Sequence, residues 1–296
     1  TLDSAGFLGD KALRVLTFSP KKIDYSISTH KYSYDEDEGV LLSQLNSLYY
    51  AGLALSFSEK TPLAISNKKI NIITEAPVTG WSAQDNTIYL GNSQLSGHNS
   101  ALDGSVLIYL IAEANIYYST NGKIDEVSFL SNNINCSGET KFCCKNDKGC
   151  SKAISIGLAD YFTTTFFPAS AGIAESYANS FDGLSYCNIS RNLNMSKDLK
   201  LDEAYRACPS ANGYAYPMAT LFATVWWNVR SKIINQSPEL IAQFDEFYLE
   251  YIKTLSSNVN YSSALQSILS LDERSFSSQF SQYFIEQYSL KNIPTN

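Results

Sequence analysis

Residues 106–122 read VLIYLIAEANIYYSTNG, an apolar run that admits a single charge, Glu113. A helix that is apolar on every side is a buried one, so a central helix is expected from about 102 to 118. The run is too short to span a bilayer, which needs about 18 or more apolar residues. No longer uncharged stretch occurs elsewhere, so no transmembrane segment is expected. Just upstream lie two β-like runs, INIIT (70–74) and TIYLG (87–91), and a turn-rich stretch containing His98. Further back, residues 40–57 place Leu41, Leu45, Leu48 and Leu53 at helical spacing. The acidic run at 35–38 before them suits a solvated helix start better than a calcium site. Shorter β-like runs occupy 13–18 and 25–28. Downstream, residues 119–151 are polar and turn-like. A second apolar helix is expected over about 153–167, ending at Pro168, and 169–212 read as loop. A third helix is expected over 217–234, with Pro217 at its first position and Trp226 and Trp227 on it. Residues 238–288 have the pattern of two or three amphipathic helices. Together these give an α+β chain, with a mixed α/β lobe over 1–122 and a mainly helical lobe over 123–296.

Composition narrows the chemistry. The 296 residues carry 22 Lys and Arg against 29 Asp and Glu, a net charge of −7 with no basic stripe. Nucleic-acid binding is therefore not expected, because neutralising phosphates dominates that affinity. Hydrophobic residues make up 44% and charged residues 17%, values of a globular chain rather than a disordered one. Only two histidines occur, His30 and His98, leaving little for imidazole-based metal or acid–base work. Six cysteines (Cys136, Cys143, Cys144, Cys150, Cys187 and Cys208) stand in the middle of the chain. No clean CxxC pair or nearby histidine accompanies them, so disulfides are preferred to zinc, and with them an oxidising compartment and export. The expected arrangement joins Cys187 to Cys208 and ties down an insert at 136–150, although spacing leaves the connectivity open. Five N-x-S/T sequons, at Asn135, Asn188, Asn194, Asn235 and Asn260, add only slightly to the case for export.

The order of segments carries a resemblance. NTIYLGN, SALDGS, VLIYLIAEANIYYSTNG, SKAISIGLADYFTTTF and GYAYPMATLFATVWWNVR follow one another in an arrangement that resembles the thermolysin- and fungalysin-like (gluzincin) metallopeptidases over roughly residues 40–290. The resemblance implies a two-lobed fold whose central helix carries an HExxH zinc motif. It also implies a second helix with the third zinc ligand and a later histidine that stabilises the transition state. In the best register Tyr109 and Glu113 stand where the zinc histidines would be, and Leu110 where the general base would be. A second register puts Glu113 on the base, with Ala112 and Ile116 on the histidines. Ile156 falls on the zinc glutamate, Asp160 on the aspartate that orients a ligand histidine, and Tyr216 on the later histidine. Zinc catalysis needs three N, O or S ligands at roughly 2 Å and one open site. Neither register supplies them, so the implied zinc is not expected, and no other metal or cofactor is.

These residues imply a pseudoenzyme that acts by binding. The expected partner is a protein, a peptide or a surface ligand, taken up either by a groove lined by Tyr109, Glu113, Asp160 and Tyr216 or by the insert at 136–150. In the bland alternative, those polar side chains merely satisfy one another. An alternative function is a recruited non-zinc hydrolase, glycan-directed for example, with Glu113 and Asp160 as its acid and base.

Overall fold

The computed structural model describes residues 8–9, 13–17, 24–26, 31–33, 38–58, 61–91, 99–124, 149–168, 191–207 and 215–295. It divides into two compact units, Thr1–Asn115 and Ile116–Asn296.

The first unit is built on a five-stranded mixed sheet. Its strands are β1 (Leu8–Gly9), β2 (Leu13–Thr17), β5 (Ile70–Ala76), β6 (Gly80–Ser82) and β7 (Thr87–Gly91), in the order β1-β2-β5-β7-β6. A separate antiparallel pair is formed by β3 (Asp24–Ser26) and β4 (Lys31–Ser33). Strands β2, β5 and β7 run parallel, with Val15, Ile72 and Ile88 in register. The short antiparallel strands β1 and β6 form the edges. Along β5, Ile70, Ile72, Thr74 and Ala76 are buried and the residues between them half-buried, the period-two alternation of a strand whose faces differ. The ladder between β5 and β7 slips after Thr74, and Glu75 there has φ 57°, as a bulge residue can. Gly91 lies opposite. A Cβ on it would stand 2.6 Å from the Ala76 carbonyl oxygen, so the crossing of the two chains there requires glycine.

Helix α1 (Glu38–Leu55) packs on β2 and β5. Its buried face differs from the expected leucine stripe. Ser43, Ser47, Ala51 and Ala54 are completely buried, whereas Leu45, Leu48 and Leu53 are half-buried and Leu42 is 56% exposed. Small side chains let the helix backbone approach its neighbours, so size outweighs hydrophobicity in choosing the face. Helix α2 (Gly104–Ser119) is buried at every residue from Val106 to Ile116. The division between the units falls inside it, whereas the sequence reading placed a boundary after it. Asp103 caps α2 by accepting from the Ser105 amide and hydroxyl. Asn121 and Gly122, both at positive φ, end it in the left-handed manner.

Every described element of the second unit is helical. These are α3 (Gly149–Phe166), α4 (Leu201–Arg206), α5 (Ala215–Gln236), α6 (Ile241–Thr254), α7 (Tyr261–Phe276) and α8 (Ser281–Leu290), with a 3-10 turn at Pro238–Leu240 between α5 and α6. Helix α4 interrupts the stretch expected to be loop. Helix α5 begins two residues before Pro217, which still sits in the first turn, where a missing N–H breaks no helical bond. Helices α3 and α5 meet along their lengths, and a Cβ on Gly157 would stand 2.5 Å from the Ala219 carbonyl oxygen. Beyond that crossing Trp226 is fully buried, with Tyr161, Phe244, Phe247, Tyr248, Tyr251 and Phe284 at ring-centroid distances of 4.8–5.8 Å. Each such pair contributes about 0.5–1.5 kcal/mol beyond its buried area. At the far end, Asp272 joins α7 to α8. Its backbone oxygen accepts from Ser277 and Ser278, both at positive φ, and its Oδ2 accepts from the amides of Phe280 and Ser281 and the Ser281 hydroxyl. Among the described residues, no helix is long and apolar enough to cross a membrane.

Two glycines test this packing in opposite directions. Gly157→Ala is expected to cost about 1–3 kcal/mol, because the new methyl must push apart two backbones. Gly52→Ala, on the exposed side of α1 with nothing within 4 Å of the added Cβ, is expected to stabilise by about 0.5–1 kcal/mol. Urea denaturation of the two variants reads both signs. Equal effects would show that the α3–α5 crossing does not depend on a missing side chain.

Candidate functional site

Tyr109, Leu110, Glu113, Ile156, Asp160 and Tyr216 fall in described helices and divide between the two units. Tyr109, Leu110 and Glu113 lie on the first unit's part of α2. Tyr109 and Glu113 are four apart and share one side of the helix. The Tyr109 hydroxyl donates to Glu113 Oε1 at 2.8 Å, with the two residues 4% and 9% exposed. Leu110 is completely buried. Side chains also hold the entry to this helix. Asn99 donates to Glu75 Oε1 at 2.8 Å and to Ser43 Oγ at 3.1 Å, and Asn46 donates to the Ala101 carbonyl at 2.8 Å. Thr79 donates to Ser100 Oγ at 2.9 Å.

Ile156, Asp160 and Tyr216 belong to the second unit. Ile156 packs on Ala219 with Tyr216 against them, so three residues from α3 and α5 form one apolar contact beside the Gly157 crossing. Asp160, one turn further along α3, is 1% exposed. Its Oδ1 accepts from Arg191 Nη2 at 2.6 Å and its Oδ2 from Arg191 Nε at 3.2 Å. This is the fork-on-carboxylate geometry that guanidinium alone among side chains supplies, and it is the strongest form of charge-assisted hydrogen bond. Arg191 is itself only 4% exposed, and its Cζ lies 5.3 Å from the centroid of the Tyr216 ring, within cation–π range. One arginine thus links the carboxylate of α3 to the aromatic ring at the start of α5.

Nothing in the local sequence marks Arg191 as Asp160's partner. It sits in a stretch without periodicity, 31 residues beyond its partner, and no motif marks it. The available signal was stoichiometric, because a carboxylate on an apolar helix needs a cation, and Arg191 is the one arginine between Arg14 and Arg206. A second, half-buried pair joins α5 to α6. Arg230 of α5 donates to both oxygens of Asp245 on α6 and, at 3.4 Å, to the Tyr161 hydroxyl. Burial pushes the Asp245 carboxyl above its ordinary value against the pull of Arg230, and burial also raises the Tyr161 phenol.

Among the described residues, no group of three or more His, Cys, Asp or Glu side chains is placed to hold a metal ion. His30 and His98 lie outside the described residues, as do Cys136, Cys143, Cys144, Cys187 and Cys208 and nearly all of the insert at 136–150. Cys150, at the start of α3, is completely buried and disulfide-bonded.

Removing one partner of the Asp160–Arg191 pair strands the other charge in the interior, at an expected cost of about 3–5 kcal/mol for Arg191→Met. Replacing both, with Asp160→Leu and Arg191→Met, is expected to recover most of that loss, because no charge is then buried without its counter-ion. A double-mutant cycle by chemical denaturation measures the coupling, and a cycle in which the two losses simply add would refute it. No model of a known protein family matches the chain, and no curated protein matches it either.

Proposed function

We propose that the chain is a degenerate form of the thermolysin/fungalysin-like metallopeptidase frame, an exported pseudoenzyme that acts by binding a protein, peptide or surface ligand. The observation that carries this reading is the engagement of Asp160 by Arg191. In the resembled family the aspartate at this position orients a zinc-binding histidine. Here its two oxygens receive a bidentate guanidinium within the same unit, and the cation is part of the chain. Three further observations support the reading. Ile156, at the position of a zinc carboxylate, is sealed into the contact with Ala219. Leu110, at the position of the general base, is fully buried and has no atom that accepts a proton. Tyr109 and Glu113, at the histidine positions, are bonded to each other.

The same geometry weighs against a recruited hydrolase. A general acid must lie within hydrogen-bond reach of its substrate, whereas Asp160 is 1% exposed and both of its oxygens accept from Arg191. Glu113 alone is one carboxylate where glycoside hydrolysis uses two. Export is inferred from the cysteine pattern and from the buried disulfide at Cys150. The partner is expected to be recognised by the partly exposed Tyr216 ring or by the insert at 136–150.

The test is the metal content and turnover of native protein purified without chelators. Less than one zinc per ten chains is expected, with no cleavage of casein or of a mixed glycan panel. Zinc near one per chain would overturn the pseudoenzyme reading. So would glycan turnover that Glu113→Gln abolishes while the fold stays intact.

A further inference from the structure

Lys291 follows the last turn of α8 and is 2% exposed. Its Nζ donates to the backbone carbonyls of Lys197 at 2.7 Å and Leu199 at 3.3 Å. It forms no ion pair among the described residues, which sets it apart from Arg191 and Arg230, each facing a carboxylate. A buried ammonium served only by carbonyls is an expensive arrangement. It has a specific location, because both carbonyls belong to residues 191–200, the irregular segment that brings Arg191 to Asp160.

Among the described residues, that segment is fastened along its length. Arg191 holds it to α3, the Trp227 indole donates to Asn194 Oδ1 at 2.9 Å, the Asn228 amide donates to the Lys197 carbonyl at 3.0 Å, and Lys291 closes its end. The Leu201 amide donates back to the Lys291 carbonyl at 3.0 Å, so the lysine grips the segment through side chain and backbone alike. Leu193 is buried beneath the segment, while Met195 is 72% exposed on top.

We propose that Lys291 is a proton-linked lock on residues 191–200, so that opening of the segment that carries Arg191 takes up a proton. This inference goes beyond the binding reading and holds whether or not that reading does. The charged neighbours define the linkage. Asp198 on the segment and Glu203 on α4 attract the ammonium without meeting it. Lys197 and Lys200 are exposed, Asp202 and Arg206 pair with each other on the surface of α4, and Glu286 of α8 is taken by Lys232. Asn228 and Gln287, bonded to one another, are neutral. Desolvation prevails over these attractions and lowers the Lys291 ammonium to about 8.

The sign of the effect follows from where the proton is held. Open and solvated, the lysine keeps its proton to about pH 10.4, whereas closed it gives the proton up from about pH 8. Between those values opening binds one proton, so the closed state gains with rising pH and that gain is lost as pH falls through about 8. Below that point both states are charged and the linkage is flat. A neutral amine retains two N–H groups and can still serve both carbonyls.

Hydrogen exchange of the Ser196, Leu199 and Leu201 amides, corrected for the pH dependence of intrinsic exchange, reads the opening constant from pH 7 to 9.5. In the unmodified protein it is expected to stay flat to about pH 8 and then to fall by about tenfold per pH unit. Lys291→Met removes the titrating group and is expected to give a flat profile. If that variant does not fold, Lys291→Arg retains a charge that does not titrate in this range and is expected to be flat as well. A profile in the unmodified protein without the fall above pH 8, or the same fall in either variant, would overturn the proposal.

Discussion

The second unit depends on how closely α3 and α5 can approach. Gly157 has no side chain, and the carbonyl of Ala219 occupies the space where one would stand. Dispersion contacts decay steeply with separation, so an added methyl would weaken the whole contact rather than one spot. Several features share that register. Ile156 reaches Ala219 and Tyr216 on one side of the glycine, and Asp160 lies a turn away, where Arg191 comes between it and the same Tyr216 ring. Further along the pair, Trp226 meets Tyr161 and gathers the aromatic residues of α6 and α8. The apolar contact, the ion pair and the aromatic core are therefore successive consequences of one small residue.

Much of this fold could be read from the sequence because it rests on periodicity. The strand at 87–91 and the buried helix α2 stand where their patterns place them, and three amphipathic helices fill the C-terminal region. The failures share a cause, in that the deciding interaction was remote or depended on size. Along α1 the spacing of Leu41, Leu45, Leu48 and Leu53 points to a leucine face. The helix instead buries Ser43, Ser47, Ala51 and Ala54, because close approach rewards small residues. Strand β6 has three residues, too few to show an alternation. Helix α4 gives no apolar signal, and its first turn carries Asp202 and Glu203, which a helix N-terminus favours.

The site was legible in its parts but not in its bonds. Tyr109 and Glu113 share a helix face, and spacing alone predicts that they can meet. Asp160 was visible as a carboxylate on an apolar helix, but its partner comes from an aperiodic segment 31 residues away. Three cations withdrawn from solvent among the described residues of the second unit show how differently one problem is solved. Arg191 has a carboxylate and a ring, Arg230 has a carboxylate and a phenol, and Lys291 has only carbonyls. Planar guanidinium suits the first two settings, and a compact ammonium with three donors suits the third.

Asp272 makes the C-terminal helix depend on the one before it. Helix α8 begins after Phe280, a residue with no capping side chain, so the groups that would start it are supplied from the last turns of α7. The acceptor for its first amides is the Asp272 carboxylate, brought there by the turn through Ser277 and Ser278. The first N–H groups of a helix have no partner within it, so the start of α8 is only as well satisfied as the end of α7 is well formed. Phe280 and Phe284, both in contact with the aromatic core, stand on that turn and on the helix it starts. A change at Asp272 would therefore be felt in the aromatic core, although Asp272 itself lies outside it.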